Sequence, residues 1–116
     1  MVGSLCFIII ENTSELEEYK TLLKSILTLA QHEVTVIDNG GCSKWNIDQL
    51  SHIIIPETNE LLKHMEAGKL FLKYGNARSQ RLLYSTYLIT DSLEALSSTP
   101  LGVQIEQLQT KIDNQR

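Results

Sequence analysis

The spacing of apolar and polar positions changes several times along the chain, and each change predicts an element. Residues 5–10 form a continuous apolar run of strand length, typical of a strand buried on both faces. Over residues 14–31, apolar side chains recur at intervals of three and four, which predicts an amphipathic helix. Ser14 and Glu17 have the spacing of a capping box at its start.

Shorter apolar segments predict three more strands and two more helices. Residues 33–38 are β-branched and end at Asn39-Gly40-Gly41, and residues 52–55 end at Pro56, which has no N–H to give to a strand ladder. Residues 59–74 have helical character that Gly68 weakens in the middle. The remaining predicted elements are a strand at residues 82–84 and a helix at residues 86–96.

The order of these elements, β-α-β-β-α-β-α, predicts an α/β fold. We expect a small four-stranded parallel sheet flanked by about three helices. With 116 residues, the chain is long enough for one core, which we assign to a single domain at residues 1–100. Residues 101–116 are predicted to be a terminal helix or a flexible tail, with a partner-binding helix as a third interpretation.

Apolar content, cysteine count and motif spacing exclude several classes of protein. No apolar run approaches the roughly 18 residues that span a bilayer, and the first residues do not resemble a secretory leader, so we expect a soluble protein. The two cysteines, Cys6 and Cys42, are too few for a disulfide framework and fit a reducing compartment. No His, Cys and carboxylate group has metal-ligand spacing, and no glycine-rich phosphate loop follows the first strand. We therefore expect no metal and no cofactor.

Charge is unevenly distributed along a chain whose net charge is −4. Residues 1–62 hold three lysines against nine acidic residues, a balance of −6, whereas residues 63–81 hold five basic residues against one glutamate, a balance of +4. The basic segment is either a surface for an acidic partner or a solvated helix face. Its candidate partner-binding residues are Lys69, Arg78 and Arg81, and Trp45 in a loop is either a partner anchor or a loop-packing residue.

Two stretches of this sequence resemble the BRCT domain, the C-terminal repeat module of DNA-damage, replication and telomere proteins. Ser51-His52-Ile53-Ile54-Ile55 is similar to the third strand of that family. Residues 82–93 are similar to its closing strand and third helix, with Tyr87 at a position where tryptophan is usual. The resemblance implies that Tyr87 and Leu88 belong to the structural core, where loss of a large aromatic side chain costs about 3–5 kcal/mol.

The resemblance also implies a function. It predicts a non-enzymatic protein–protein interaction module, a scaffold in a nuclear complex for DNA repair, the DNA damage response, replication or telomere maintenance. The partner is then a protein, either phosphorylated or another BRCT domain, and direct nucleic-acid binding is not expected. An alternative is phosphopeptide binding through Thr13 or Ser14 together with Lys63 or Lys73, although Glu11 would repel a phosphate.

A rival interpretation comes from another class of protein. Receiver-like and flavodoxin-like signalling domains share the coarse α/β pattern. A receiver needs an acidic pair after its first strand and an aspartate after its third, whereas this chain has only Glu11 and the sequence Pro56-Glu57 at those places. No nucleophile and base carry a local catalytic signature, so we expect no catalytic residues.

Overall fold

The longest element among the described residues is a single helix that begins near the start of the chain. A computed structural model describes residues 6–66, 68–72, 96 and 98–114, and within them helix α1 covers Thr13–Asp38. The side-chain oxygen of Asn12 accepts a hydrogen bond from the backbone N–H of Glu15 at 3.0 Å and so begins the helix. The helix therefore starts one residue before the predicted position, and its capping residue is Asn12 instead of Ser14.

The end of α1 is a Schellman motif. The N–H of Gly41 donates to the carbonyl of Val36 at 2.8 Å, and the N–H of Gly40 donates to the carbonyl of Ile37 at 3.0 Å. Gly40 has a φ of 82°, which lies in the left-handed region that residues with a side chain rarely adopt. The sequence Asn39-Gly40-Gly41 thus ends a helix, although we predicted that it follows a strand.

The predicted second strand is wrong, because residues 33–38 are the last turns of α1. Val34 and Ile37 are half-buried and pack against the core. They extend the buried face that reaches Ala30, at intervals of four and three residues. Burial of this face outweighs the small helix penalty of β-branched side chains.

A second helical stretch consists of three successive elements. Helix α2 covers Ile47–Gln49, a π-helical segment covers Leu50–Ile54, and helix α3 covers Ile55–Met65. Asn46 and Gln49 form a capping box at the start of the stretch.

The predicted third strand is also wrong, because residues 52–55 lie within this helical stretch. Pro56 does not end an element but occupies the first turn of α3, where its missing N–H costs little. Just before it, the N–H of Ile55 donates to the carbonyl of Leu50, five residues earlier. A proline ring crowds the carbonyl four residues before it, and the wider π turn gives this ring room.

Two short strands form a ribbon beside the helices. Strand β1 covers Cys6–Ile9, within the segment where a strand was predicted, and strand β2 covers Lys69–Leu72, where a helix was predicted. The strands are antiparallel, with Cys6 opposite Leu72 and Ile9 opposite Lys69. Gly68, with a φ of 72°, makes the turn between α3 and β2.

The final described element is helix α4, Pro100–Asp113. Thr99 caps it, because its hydroxyl oxygen accepts a hydrogen bond from the N–H of Gly102 at 3.0 Å. Pro100 fits the first helical position because its φ suits the helix and its missing N–H is not needed there. Most of the segment at residues 101–116 is therefore helical, and whether this helix binds a partner stays a prediction.

The predicted α/β fold is therefore wrong, and the chain is a small helical protein. Among the described residues the only paired strands are β1 and β2, and they are antiparallel. The predicted strand at residues 82–84 lies outside the described part of the chain, as does the predicted helix at residues 86–96 apart from Leu96. Leu96 itself lies in a buried turn.

Helix α1 is central to the packing, since it contacts both α3 and α4. The N–H of Ile10, just before α1, donates to the carbonyl of Gly68, just after α3, at 2.8 Å. Each of the three long helices buries one apolar face in a common core, and each fully buried aliphatic or aromatic side chain contributes about 1.5–3 kcal/mol. The buried apolar residues are Ile10, Tyr19, Leu23, Ile26, Ala30, Trp45, Leu50, Ile54, Leu61, Met65, Leu96, Leu101, Ile105, Leu108 and Ile112.

Candidate interaction surface

A groove runs along the surface between α1 and α4. It has two adjoining parts of about 570 and 560 Å³, and Leu22 and Gln107 line both of them. We call the whole surface the α1–α4 groove. The remaining residues that line it are Ser14, Glu17, Glu18, Thr21, Ser25, Val103, Gln104, Glu106, Thr110 and Lys111.

Part of the groove is apolar, where Leu22 and Val103 line it. Val103 keeps 44% of its surface exposed, and among the described residues the only other exposed large hydrophobic side chain is Ile47. Leu22 is half-buried and packs against the core from the α1 side of the groove. A side chain that entered here would cover apolar surface on both helices.

The borders of the groove are acidic. Among the described residues that line it, Glu17, Glu18 and Glu106 carry carboxylates and Lys111 carries the one ammonium group. The Lys111 Nζ lies 3.2 Å from an oxygen of Glu18, and the Lys20 Nζ lies 3.5 Å from an oxygen of Glu17. In both pairs the glutamate is exposed and the lysine is half-buried, and ion pairs at a solvent-exposed carboxylate contribute little to stability.

Gln104 adds a polar group to the groove wall. Its carboxamide oxygen Oε1 is buried and accepts no hydrogen bond from the described residues. An unsatisfied buried acceptor costs roughly 1–3 kcal/mol. Gln104 also lines the α1–α4 groove, although this oxygen itself is not exposed to it.

Tyr19 fixes the two walls of the groove relative to each other. Its side chain is fully buried, and its hydroxyl donates to the backbone carbonyl of Lys111 at 2.9 Å. That carbonyl belongs to the last turn of α4, where helix carbonyls lack a partner within the helix. Burial, and after it the nearby charge of Glu15, raises the pKa of Tyr19, so the hydroxyl stays protonated as a donor. The Lys111 Nζ also lies 5.0 Å from the ring centroid.

Three of the four predicted phosphate-binding residues lie within the described part of the chain, at helix ends. Thr13 and Ser14 are exposed in the first turn of α1, and Lys63 is exposed in the last turn of α3. Ser14 shares the α1–α4 groove with Glu17 and Glu18, whose carboxylates repel a phosphate. Lys73 lies outside the described residues.

Trp45 packs inside the protein and is not a surface anchor. It is 3% exposed, and its Nε1–H donates to the Thr99 hydroxyl oxygen at 3.3 Å. The Trp45 backbone N–H donates to the Ser43 hydroxyl oxygen, and the Ser43 hydroxyl donates to a carboxylate oxygen of Glu33. These bonds fasten the loop after α1 to the first turn of α4.

Most of the other predicted site residues fall where the structure gives no description. The backbone of Lys69 lies in β2, and nothing is described of its side chain. Arg78 and Arg81, predicted as partner-binding residues, and Tyr87 and Leu88, predicted as core residues, lie outside the described part of the chain. Their predicted roles stay predictions.

Metal-binding clusters and membrane-crossing helices are both absent from the described residues. No group of three or more potential metal-ligating side chains occurs there. No helix in that part of the chain combines the length and the apolar character that a membrane crossing requires.

Sequence reasoning did not identify the α1–α4 groove. The signal was present at Val103, an apolar residue outside the stripe of Leu101, Ile105, Leu108 and Ile112 that α4 buries. An apolar side chain away from the buried stripe of an amphipathic helix indicates a second contact surface. The pairing of this position with Leu22 depends on the packing of α4 against α1, which no local pattern encodes.

Comparison with known proteins adds no relative. No protein-family model, no curated protein and no solved structure matches this chain. The function is therefore argued from the groove itself.

Proposed function

We propose that this protein is a non-enzymatic protein–protein interaction module and that the α1–α4 groove is its binding surface. The observation that carries the proposal is the exposed Val103 beside Leu22 in a groove between two packed helices. Helical proteins commonly bind partners by accepting the apolar face of a further helix into such a groove. A partner helix would cover Val103 and complete the packing there.

The length of the groove agrees with a helical occupant. Its α1 wall extends from Ser14 to Ser25, which at 1.5 Å per residue is roughly 16 Å, or about three turns of a bound helix. The walls are preformed, because Tyr19 and the core residues of α1 and α4 hold the two helices together. Preformed walls reduce the ordering cost of binding.

The nuclear and genome-maintenance setting is not part of this proposal. It followed from a resemblance that implies a parallel sheet, and the segment of residues 51–55 that resembles a strand lies in the π-helical segment and α3. The receiver-like interpretation depends on the same kind of sheet and is set aside for the same reason. Phosphopeptide binding is also not proposed, since Ser14 shares the groove with the carboxylates of Glu17 and Glu18.

Site-specific photo-crosslinking tests the proposal. A photoreactive amino acid at Gln107, which is exposed and lines both parts of the groove, is expected to form a covalent adduct with a partner segment in an extract of the source cells. The same amino acid at Ile47, exposed on α2 outside the groove, is the control. Mass spectrometry of the adducts identifies the captured segment.

A substitution makes the test specific. Val103→Glu places a charge in the apolar part of the groove and is expected to abolish the adduct at residue 107. Because Val103 is exposed, the fold should change in stability by less than about 0.5 kcal/mol, which circular dichroism and thermal unfolding check. An adduct yield at residue 107 that Val103→Glu leaves unchanged, or that only matches the yield at residue 47, would contradict the proposal.

A further inference from the structure

Asn39 and Gly40 form the one place in this chain where a glycine directly follows an asparagine. The backbone nitrogen of the residue after an asparagine can attack the side-chain carbonyl of the asparagine and close a five-membered ring. Glycine hinders this attack least, because it has no Cβ. The other five asparagines precede residues that have a side chain, so the reaction is chemically most favoured at Asn39.

The reaction is deamidation, and water is its co-reactant. The Gly40 nitrogen forms a bond to Cγ of Asn39 while the bond from Cγ to the side-chain nitrogen breaks. The proton of the Gly40 nitrogen passes through solvent to the leaving group, which departs as ammonia. Water then opens the succinimide ring at either carbonyl. The products are aspartate, with the original backbone, and isoaspartate, in which the main chain runs through Cβ and Cγ of residue 39.

Both reacting residues are accessible to water at the end of α1. Asn39 and Gly40 are exposed, and they follow the last residue of the helix. Helix ends open more readily than the packed middle of a helix, and such local opening needs no unfolding of the rest of the protein. The solvent that the reaction requires is therefore already at the site.

The closed Schellman motif holds these atoms in a geometry that does not react. The N–H of Gly40 donates to the carbonyl of Ile37 at 3.0 Å, which disfavours loss of its proton. The ψ of Asn39 is 10°, so the Gly40 nitrogen is nearly eclipsed with the Asn39 nitrogen. Ring closure instead requires the Gly40 nitrogen to be eclipsed with Cβ of Asn39. The motif must open before the ring can form.

We propose that Asn39 is a site of spontaneous deamidation and that opening of the Schellman motif at the end of α1 controls its rate. In the closed motif, the N–H groups of Gly40 and Gly41 are held by the carbonyls of Ile37 and Val36. Isoaspartate adds one atom to the main chain before Gly40, which displaces both N–H groups from these carbonyls. Once isoaspartate has formed, the motif does not close again.

Mass spectrometry of the whole chain, folded and denatured, tests the proposal. Both samples are incubated in the same mildly alkaline buffer, one with guanidinium chloride, and are then digested with trypsin. Cleavage after Lys24 and Lys44 releases residues 25–44, in which Asn39 is the one asparagine. We expect isoaspartate at residue 39 in both samples, and deamidation about tenfold or more slower in the folded protein, because only the open fraction reacts.

A pair of variants shows whether the Schellman motif itself is responsible. A Cβ at residue 41 would lie 2.7 Å from Cγ1 and 2.9 Å from the carbonyl oxygen of Val36, so Gly41→Ala disfavours the closed motif while Asn39-Gly40 is kept. Relative to its own denatured rate, this variant should deamidate about tenfold faster than the natural protein. The control Asn12→Ala loses the cap at the other end of α1 and should leave the rate at Asn39 unchanged.

Amide hydrogen exchange of the natural protein gives a second measurement that needs no variant. Folding should slow deamidation by at least the factor by which it slows exchange of the Gly40 N–H, because both reactions require this N–H to leave the Ile37 carbonyl. The proposal is overturned by absence of isoaspartate at residue 39 or by equal deamidation rates in the folded and denatured chain. Equal effects of Gly41→Ala and Asn12→Ala, or less protection from deamidation than from exchange, also overturn it.

Discussion

At the scale of single residues, Gly102 shows how the start of α4 depends on the lack of a side chain. A Cβ atom at this position would overlap the carbonyl oxygen of Leu96 and would also meet the Thr99 hydroxyl. The Thr99 hydroxyl donates to that same carbonyl and accepts from the N–H of Gly102. The three residues therefore form one tightly packed cap.

We predict that Gly102→Ala destabilises the protein by about 1–3 kcal/mol, the usual cost of overpacking. Helix propensity alone predicts the opposite sign, since alanine is favoured over glycine by about 1 kcal/mol in a helix interior. Urea unfolding monitored by circular dichroism measures the effect. As a control, Gln107→Ala, at an exposed position of the same helix, should change stability by less than about 0.5 kcal/mol. A stabilised Gly102→Ala variant would refute the packing of this cap.

Local sequence predicts the role of some side chains and leaves the role of others open. For Trp45 the composition of the loop left two roles open, a partner anchor or a loop-packing residue, and the structure buries it against Thr99. The choice depended on a residue 54 positions away, which no local pattern includes. The roles predicted for Tyr87 and Leu88 stay predictions.

At the scale of elements, the hydrogen bonds of the first turn of α1 show which of two candidate residues caps the helix. The sequence pattern indicated Ser14, whereas the structure shows Asn12 in the capping bond. Asn12 is the residue with extended backbone angles before the helix, and Ser14 is already in the helix. Only a residue outside the helix can direct its side chain at the free N–H groups of the first turn.

We predict that Asn12→Ala lowers the free energy of unfolding by about 1 kcal/mol and that Ser14→Ala changes it by less than about 0.5 kcal/mol. Chemical denaturation of both variants tests this assignment. Asn12→Ser should retain most of the stability, because serine also caps well. The opposite ranking of the two alanine variants would restore the capping box at Ser14 and Glu17.

The bounds of a helix were predictable where only helical spacing was present in the sequence. They were not predictable where helical spacing and β-branched composition indicated different structures. The start of α1 was found within one residue because the polar segment before it has no competing pattern. At residues 33–38, β-branched composition favoured a strand, while the intervals from Ala30 to Val34 and Ile37 continued the helical face. The helix is favoured at these residues because extending an existing helix is cooperative and buries Val34 and Ile37 against the core.

The same competition explains residues 52–55. Three consecutive isoleucines before a proline resemble a buried strand, yet Leu50, Ile54, Leu61 and Met65 follow helical spacing and are all buried. The local composition of residues 52–55 favours a β-strand. Packing of this segment and α3 against α1 favours the helix instead. β propensity mostly reflects fit to a sheet surface, and a helix that buries the same side chains removes that preference.

At the scale of the whole molecule, Tyr19 makes stability depend on pH at the alkaline end. The pKa of this residue is raised in the folded state by burial, so the unfolded chain releases the proton first as the pH rises. The unfolded state then binds fewer protons than the folded state, and stability falls with increasing pH. The contribution of the protonated hydroxyl is complete below about pH 10, the ordinary pKa of tyrosine, and is lost above it.

Tyr19→Phe tests this dependence. At neutral pH the variant should be less stable than the natural protein by about 1 kcal/mol, because the bond to the Lys111 carbonyl is lost while the ring is kept. Above about pH 10 the natural protein should lose up to about 1.4 kcal/mol per pH unit from this residue, so the difference should close near pH 11. Urea unfolding at a series of pH values measures both proteins. A difference that stays constant through this range would show that Tyr19 ionises equally in both states.

The fold as a whole was the least predictable level. Local patterns indicated where several regular elements begin, but two helical segments predicted as strands supported a parallel sheet in place of a helical protein. The α1–α4 groove was equally hidden, because it exists only through the contact of two helices that are far apart in sequence. Tertiary contacts decide such cases, and they are visible in the sequence only as the spacing of residues that share a face.

The distance in sequence between Tyr19 and its partner Lys111 also has a consequence for how the protein is made. The two residues are 92 positions apart, so a ribosome adding roughly 5–20 residues per second completes Lys111 about 5–20 s after Tyr19. During that interval the side of α1 that will contact α4 has no cover from it. The nascent chain is therefore most open to chaperone binding or aggregation through this face until α4 has been synthesised and packs against it.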